Sequence, residues 1–181
     1  PELVKRLILV SSGVFDARYA PQIMQTRLSR LADSERDELA RLQQVLDADY
    51  GTAAARDAAL ARIGELFKTC SDSYDLLPEQ DDSSEGVSSG VQLGIHRRVW
   101  DDAEALRAGG DLIELGRRIQ CPVVVLHGDH DPHPLEGVRA PLAQVVPGLR
   151  VHVLERCGHY PWLERHARDA FFELLRAELE S

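Results

Sequence analysis

Arg6-Leu7-Ile8-Leu9-Val10-Ser11 holds four aliphatic residues in a row and runs out at Ser12-Gly13. Apolar side chains on consecutive positions occupy both faces of a strand. This segment is therefore predicted to lie in a parallel sheet covered by helices on both sides. The period then becomes helical. Ala17 to Leu31 carries Ile23, Met24, Leu28 and Leu31 on one stripe. Ser34 is predicted to open a second helix, with Asp37 three residues on as a variant of the capping box. That helix bears Leu39, Leu42, Val45 and Leu46, and Gly51 stops it. Thr52 starts a third helix, with Leu60, Ile63, Leu66 and Phe67 as its buried stripe. Ser71 to Gly90 is polar, contains Pro78 and many Ser and Asp, and reads as a loop or linker. Val91 to Arg107 is predicted helical again, with His96 and Trp100 packing into the core.

Beyond that point the pattern alternates. Asp111 to Ile119 reads as a short helix, Pro122 to His127 as a buried strand and Leu135 to Val145 as a helix. Pro147-Gly148 makes a turn, Leu149 to Leu154 a strand, and Arg165 to Leu179 an amphipathic helix with Phe171, Leu174, Leu175 and Leu179 on one face. Strand, helix, strand, helix implies parallel crossovers. The expected class is α/β: three parallel core strands with flanking helices and a helical insertion after the first strand. Residues 1–16 form a core strand and loop, 17–110 the helical insertion with a polar linker near 71–90, and 111–181 the rest of the core. No internal repeat is visible.

Composition adds bounds. The 181 residues are 44% hydrophobic and 28% charged, as in an ordinary globular domain. No apolar run approaches the ~20 residues that cross a bilayer, and no signal peptide is visible, so no membrane partner is expected. The net charge of −9 repels phosphate backbones, so nucleic acid is not an expected partner either. The excess is local: from Asp33 to Asp82 there are 13 acidic residues against 5 basic. The plain reading is solvated helix faces. The functional one is an acidic cover that favours cationic or amine-bearing substrates. Cys70, Cys121 and Cys157 form no C-x-x-C and no disulfide framework, which fits a reducing cytoplasm and small buried apolar roles.

Two loops hold the candidate chemistry, because functional residues in open α/β sheets gather at the carboxyl ends of strands. One is His127-Gly128-Asp129-His130-Asp131-Pro132-His133-Pro134. The other is Glu155-Arg156-Cys157-Gly158-His159-Tyr160-Pro161-Trp162. An acid on one loop and a His on the next can meet in space, and a carboxylate beside imidazole Nδ1–H orients a general base.

The run Ile119-Gln120-Cys121-Pro122, the strand, then Gly128-x-x-Asp131 with Pro134 resembles the acid loop of the α/β-hydrolase superfamily. Cys157-Gly158-His159 before Pro161-Trp162 and a helix is similar to its catalytic-His loop. Val4 to Gly13 is similar to the strand after its nucleophile helix. Proline-iminopeptidase-like and small esterase-like members are nearest in flavour. The resemblance implies that Asp131 is the acid of a catalytic triad, that His159 is its general base, and that 17–110 is the substrate cap. It implies an ester, amide or peptide substrate and no cofactor or metal. Asp16 and Asp129 compete with Asp131 as the acid. Tyr160 and Trp162 are expected to pack the loop, and Glu164 to serve the start of the last helix through its dipole.

The family's nucleophile sits in G-x-S-x-G on a strand-to-helix turn. The match here, Gly86-Val87-Ser88-Ser89-Gly90, follows Asp81-Asp82-Ser83-Ser84-Glu85, which is no core strand. Ser11 and Ser12 end a strand but lack the glycine before them, and no oxyanion-hole loop is apparent. The chain begins at Pro1 and enters a strand at Leu7. The expectation is therefore that it is the carboxyl-terminal part of the fold, inactive alone, with the nucleophile's half missing. Two rivals remain. His127, Asp129, His130, Asp131 and His133 could make a metal-dependent hydrolase, although neighbours on one loop rarely converge on a tetrahedral ion. The chain could also be an inactive binding or dimerisation module, pairing through the exposed edge of its first strand.

Overall fold

Val123–Gly128 is the strand on which the sheet is built. All six of its residues are buried, and its run of three valines suits a strand covered on both faces. This strand, β2, pairs in parallel with β1 (Leu7–Val10) on one side and β3 (Arg150–Leu154) on the other, in the order β1-β2-β3. Leu7 lies opposite Val123, and Gly128 opposite Leu154. The computed structural model describes residues 3–48, 51–78 and 93–180.

The two faces of β2 take different partners. Val123 and Val125 pack with Val138, Leu142 and Val145 of the helix Leu135–Val145. Val124 and Leu126 pack with Leu154, Cys157, Ala167 and Phe171, the last on the helix Arg168–Glu180. Helices therefore cover the sheet on both sides, as the unbroken apolar run of β2 requires.

Between β1 and β2 the chain is helical. A 3-10 turn at Ala17–Tyr19 leads into α1 (Ala20–Arg30), followed by α2 (Asp33–Asp47) and α3 (Ala53–Phe67). A π-helical turn, Lys68–Asp72, closes α3. Then come α4 (Leu93–Ala108) and α5 (Asp111–Gly116), so the two helices packed on the sheet become α6 (Leu135–Val145) and α7 (Arg168–Glu180). The α2–α3 pair keeps its own small core of Leu31, Leu39, Ile63, Leu66 and Phe67. No described helix is long and apolar enough to cross a membrane.

Several local expectations change. Helix α2 begins at Asp33, not Ser34, and its capping carboxylate is Glu35, which accepts the Ala32 N–H at 2.7 Å. Only an acid at the third helical position reaches back to that amide; Asp37 is already further along. Thr52 does cap α3, its hydroxyl accepting from Ala55 N–H at 3.1 Å. Trp100 is 50% exposed and His96 partly exposed, so neither lies in the core. Leu179 is 71% exposed, while its neighbour Glu178 is buried against Arg150 and His152.

The largest change concerns residues 71–78. They are not a linker but a strap. Leu77 N–H donates to Leu163 O at 2.8 Å, Arg165 N–H to Asp75 O at 2.8 Å, and Leu76 bridges Glu164 in antiparallel fashion. The polar composition misled because the strap's backbone groups are satisfied by another loop rather than by water. The rest of the expected linker, including Ser88 and its flanking glycines, lies outside the described residues.

Candidate active site

Strands β2 and β3 are neighbours and run in parallel, so their following loops leave the same edge of the sheet side by side. Asp129 N–H donates to Leu154 O at 3.0 Å, and His130 N–H to Cys157 O at 2.8 Å. The Asp129 carboxylate completes the join, with one oxygen accepting Cys157 N–H and the other Arg156 N–H, each at 3.0 Å. Both of its oxygens thus hold the second loop in place, which takes Asp129 out of contention for orienting a histidine. Gly128 and Gly158 permit this closeness. A Cβ on Gly128 would fall on the carbonyls of Cys157 and Gly158. One on Gly158 would lie 2.6 Å from Ser73 Cα and 2.8 Å from Glu164 Oε1.

Asp131 sits at the centre. Its Oδ2 accepts from His159 Nδ1 at 2.8 Å. Its Oδ1 accepts twice from one residue, from His133 N–H at 2.9 Å and from His133 Nδ1 at 2.8 Å. The first of these is an Asx turn, the local bond that Asp makes two residues on. Prolines at 132 and 134 disfavour helical backbone at Asp131 and His133, which stiffens the turn. The imidazoles of His133 and His159 lie 4.6 Å apart at 31°. Behind them His127, fully buried, donates from Nε2 to His133 O at 2.9 Å. Its Nδ1 is buried without a partner. Asp16 is elsewhere occupied, accepting from Arg18 N–H at 3.0 Å at the start of the 3-10 turn and pairing with the Arg18 guanidinium.

The electrostatics follow from this geometry. Burial pushes the Asp131 carboxyl up, but the hydrogen bonds from His133 and His159, with their charge, outweigh it. The group is held well below the usual carboxylate range and stays ionised. Burial pulls the His127 imidazole down, against the opposing charge of Asp131. Neutral His127 with Nε2–H pointing at a carbonyl leaves Nδ1 as its bare nitrogen. The Cys157 thiol is pushed up to about 12, first by burial and then by Glu164, Asp129 and Asp131. It is a neutral packing group in the Phe171 cluster, not a nucleophile.

The helical insertion fixes the backbone of the second loop. His159 N–H donates to Asp72 O at 2.7 Å. Asp72 is itself clamped by Arg27, with Nε to Oδ1 at 2.9 Å and Nη2 to Oδ2 at 2.6 Å, a fork-to-fork pair. Arg30, one turn on in α1, donates to Ser71 O at 2.6 Å and to His130 O at 2.8 Å, touching both the π-turn and the acid loop. Glu164 closes the arrangement. Fully buried, it accepts from Gly158 N–H at 3.0 Å, Tyr74 N–H at 3.0 Å and Asp75 N–H at 2.8 Å. It ties the histidine loop to the strap rather than serving a helix dipole. Nothing in its sequence context distinguished it from a surface acid. His133 did have a readable signal, in the Asp-x-His spacing of an Asx turn between two prolines.

Tyr160 stands edge-on to His159 at 5.1 Å, and Trp162 is 40% exposed beside Phe171. The dense His/Asp cluster of the first loop does not converge as a ligand set. Asp129 is spent on amides, His127 on a carbonyl, and His130 stacks edge-on to Tyr74 at 5.4 Å. One donor atom each from Asp131, His133 and His159 fall within 4.8 Å of one another. Both imidazole Nδ1 atoms are taken up in hydrogen bonds to the carboxylate, so the group is one acid shared by two imidazoles. What it can do is hold a histidine in a single tautomer, with a bare Nε2 and a counter-charge behind it.

No protein-family model matches the chain, and no curated protein does. Solved structures do. VinJ superposes at a TM-score of 0.59 with 18% identity, covering 97% of this chain and 57% of that one. An acetylester hydrolase from Corynebacterium glutamicum gives 0.56 with 15% identity, covering 100% of this chain and 56% of that one. A proline iminopeptidase from Mycobacterium smegmatis gives 0.52 with 14% identity, covering 99% and 57%. At such identities the likeness is one of fold. The chain spans less than two thirds of the length of each of these proteins.

Proposed function

For a chain that carries part of the α/β-hydrolase fold, we propose that Asp131 and His159 are the acid and general base of a serine-dependent hydrolase of ester or amide bonds. The observation behind this reading is the 2.8 Å hydrogen bond from His159 Nδ1 to a buried, ionised Asp131 at the carboxyl edge of the sheet. With Nδ1–H committed, His159 Nε2 takes the proton of a serine hydroxyl as its oxygen attacks the substrate carbonyl, and then hands it to the leaving group. Asp131 keeps its charge and stabilises the imidazolium. The serine and the oxyanion-hole donors are assigned to residues outside this chain, and the helical segment 17–110 to a substrate cap. In this reading the missing part of the fold pairs along β1, whose partner among the described residues is β2 alone.

A fluorophosphonate probe tests the chemistry. The isolated chain is expected to form no adduct, and an adduct on Ser88 would overturn the placement of the nucleophile. In the enzyme with its serine, Asp131→Asn is expected to slow ester turnover by about 10⁴-fold. His159→Ala is expected to slow it by roughly 10⁶-fold. Turnover indifferent to His159→Ala would sink the assignment.

A further inference from the structure

We propose that His133 is a positioning residue for the proposed general base. It holds Asp131 Oδ1 and so leaves Oδ2 and a fixed carboxylate plane to His159. The catalytic arrangement needs one acid and one histidine, yet here a single carboxylate is divided between two imidazoles. Each Nδ1 that faces the carboxylate must carry a proton, so each ring, when neutral, presents a bare Nε2. Free imidazole side chains favour the opposite tautomer, with the proton on Nε2. The arrangement therefore locks two rings in the disfavoured form through one acid.

His133 is built to do this. It is 7% exposed, sits between Pro132 and Pro134, and its carbonyl is gripped by His127 Nε2. Its N–H and Nδ1–H approach the same oxygen, which fixes both the distance and the rotation of the carboxylate. Without the Nδ1 donor, only the turn's N–H restrains Oδ1, and the carboxylate can swing about its last torsion. Its ring also packs beside that of His159 at 4.6 Å, limiting where the base can rotate. The charged and titratable groups around the pair are Asp131 itself, His127 behind it and Tyr160 edge-on to His159, with Arg30 directed at the loop carbonyls. Apart from Asp131, none of these hydrogen-bonds to the His133 ring; His127 reaches only its carbonyl.

This inference rests on reading His159 as the base, but its first measurement does not need the serine. In the chain labelled with ¹⁵N at histidine, with the pH raised until the imidazoles are neutral, long-range proton–nitrogen correlations are expected to show Nδ1–H and bare Nε2 for both His133 and His159. His133 with its proton on Nε2 would overturn the proposal without any variant having to fold. His133→Phe keeps a ring and removes the donor. It is expected to release His159 into a mixture of tautomers, with its two nitrogen signals moving toward each other. His133→Asn returns an N–H near the same oxygen and is expected to restore the single tautomer. A His159 tautomer unchanged in His133→Phe would also sink the idea. In the enzyme with its serine, fluorophosphonate labelling should slow by about tenfold in His133→Phe, less than the ~10²-fold that an ångström of misplacement can cost. The two readings fail separately. Locked tautomers with no labelling of the enzyme that has its serine would remove the hydrolase and leave His133 its role; labelling of that enzyme with an Nε2-protonated His133 would do the reverse.

Discussion

At the scale of single residues, the site depends on carboxylates that face amides. Glu164 is the sharpest case, a fully buried acid accepting three backbone N–H groups from two segments. Glu164→Gln puts an NH₂ where one oxygen accepted, so a buried N–H loses its partner and faces another donor. The expected loss is about 1–3 kcal/mol of stability, read from urea denaturation. An unchanged midpoint would show that the strap does not depend on this tie. Gly128 offers a second test, by crowding. Its Cβ would meet backbone of the neighbouring loop, which cannot swing aside like a flexible side chain. Gly128→Ala is expected to cost about 1–3 kcal/mol and to disturb the His159 signals together with the fold. Legibility at this scale was uneven. Asp131 and His159 could be marked because each follows a strand at a recognisable spacing. Glu164 and Asp72 could not, because Tyr74 and Asp75, which hold Glu164 to the strap, and Arg27, which clamps Asp72, lie 45 to 90 positions away.

Elements explain why the helical insertion matters to the site beyond covering it. Helix α1 reaches the histidine loop in two steps: Arg27 grips the Asp72 side chain, and the Asp72 carbonyl receives the His159 N–H. Asp72 is 1% exposed, so removing its cation strands a buried charge. Arg27→Met is expected to cost about 3–5 kcal/mol, less whatever Ser71, which also donates to Asp72, recovers. Matched amide exchange would show the weakening at Asp72 and His159 before it reaches β2. Exchange rising uniformly across the sheet would mean that the clamp is not local. The expected stripe of α3 is buried, but in α1 Met24 and Leu28 of the expected stripe are exposed, because that helix faces the site through Arg27 and Arg30 rather than through an apolar face. The strap 71–78 was misread because composition reports what side chains prefer and says nothing of where backbone groups find partners.

The whole molecule responds to pH through its buried titrating groups. Burial holds His127 below its ordinary value, so the unfolded chain takes up a proton that the folded one refuses. Stability is then full above about pH 6.5 and falls as the pH drops through that value. His130, lowered by burial and by Arg30, adds to the same loss. Asp131 acts lower. Its folded carboxyl is depressed, so its contribution persists down to about pH 4 and is lost as the pH falls further toward the folded value. Denaturation midpoints at pH 7.5 and 5.5 should therefore differ in the native chain. They should differ less in His127→Gln, whose amide keeps a donor for the His133 carbonyl without titrating. Equal losses in the two proteins would place the acid sensitivity elsewhere.

The class of the fold was already in the amino-acid order. Consecutive apolar residues in β2 demand cover on both faces, and the alternation of strand and helix after residue 111 demands parallel strands. The order of the two loops, acid first and histidine second, was there as well, because neighbouring parallel strands deliver their ends to one edge. Tertiary structure alone decided which carboxylate meets which imidazole. Asp129 and Asp131 are two residues apart and chemically identical, and only the approach of the β3 loop turns one to amides and the other to His159. It also decided that a second histidine shares that acid, that Glu164 is interior, and that residues 71–78 are structure. The burial of Glu164 and the pairing of the strap depend on partners distant in the chain, and even His133, two residues from Asp131, shares that acid with His159, 28 positions beyond the acid; local pattern carries no information about partners that only packing brings near.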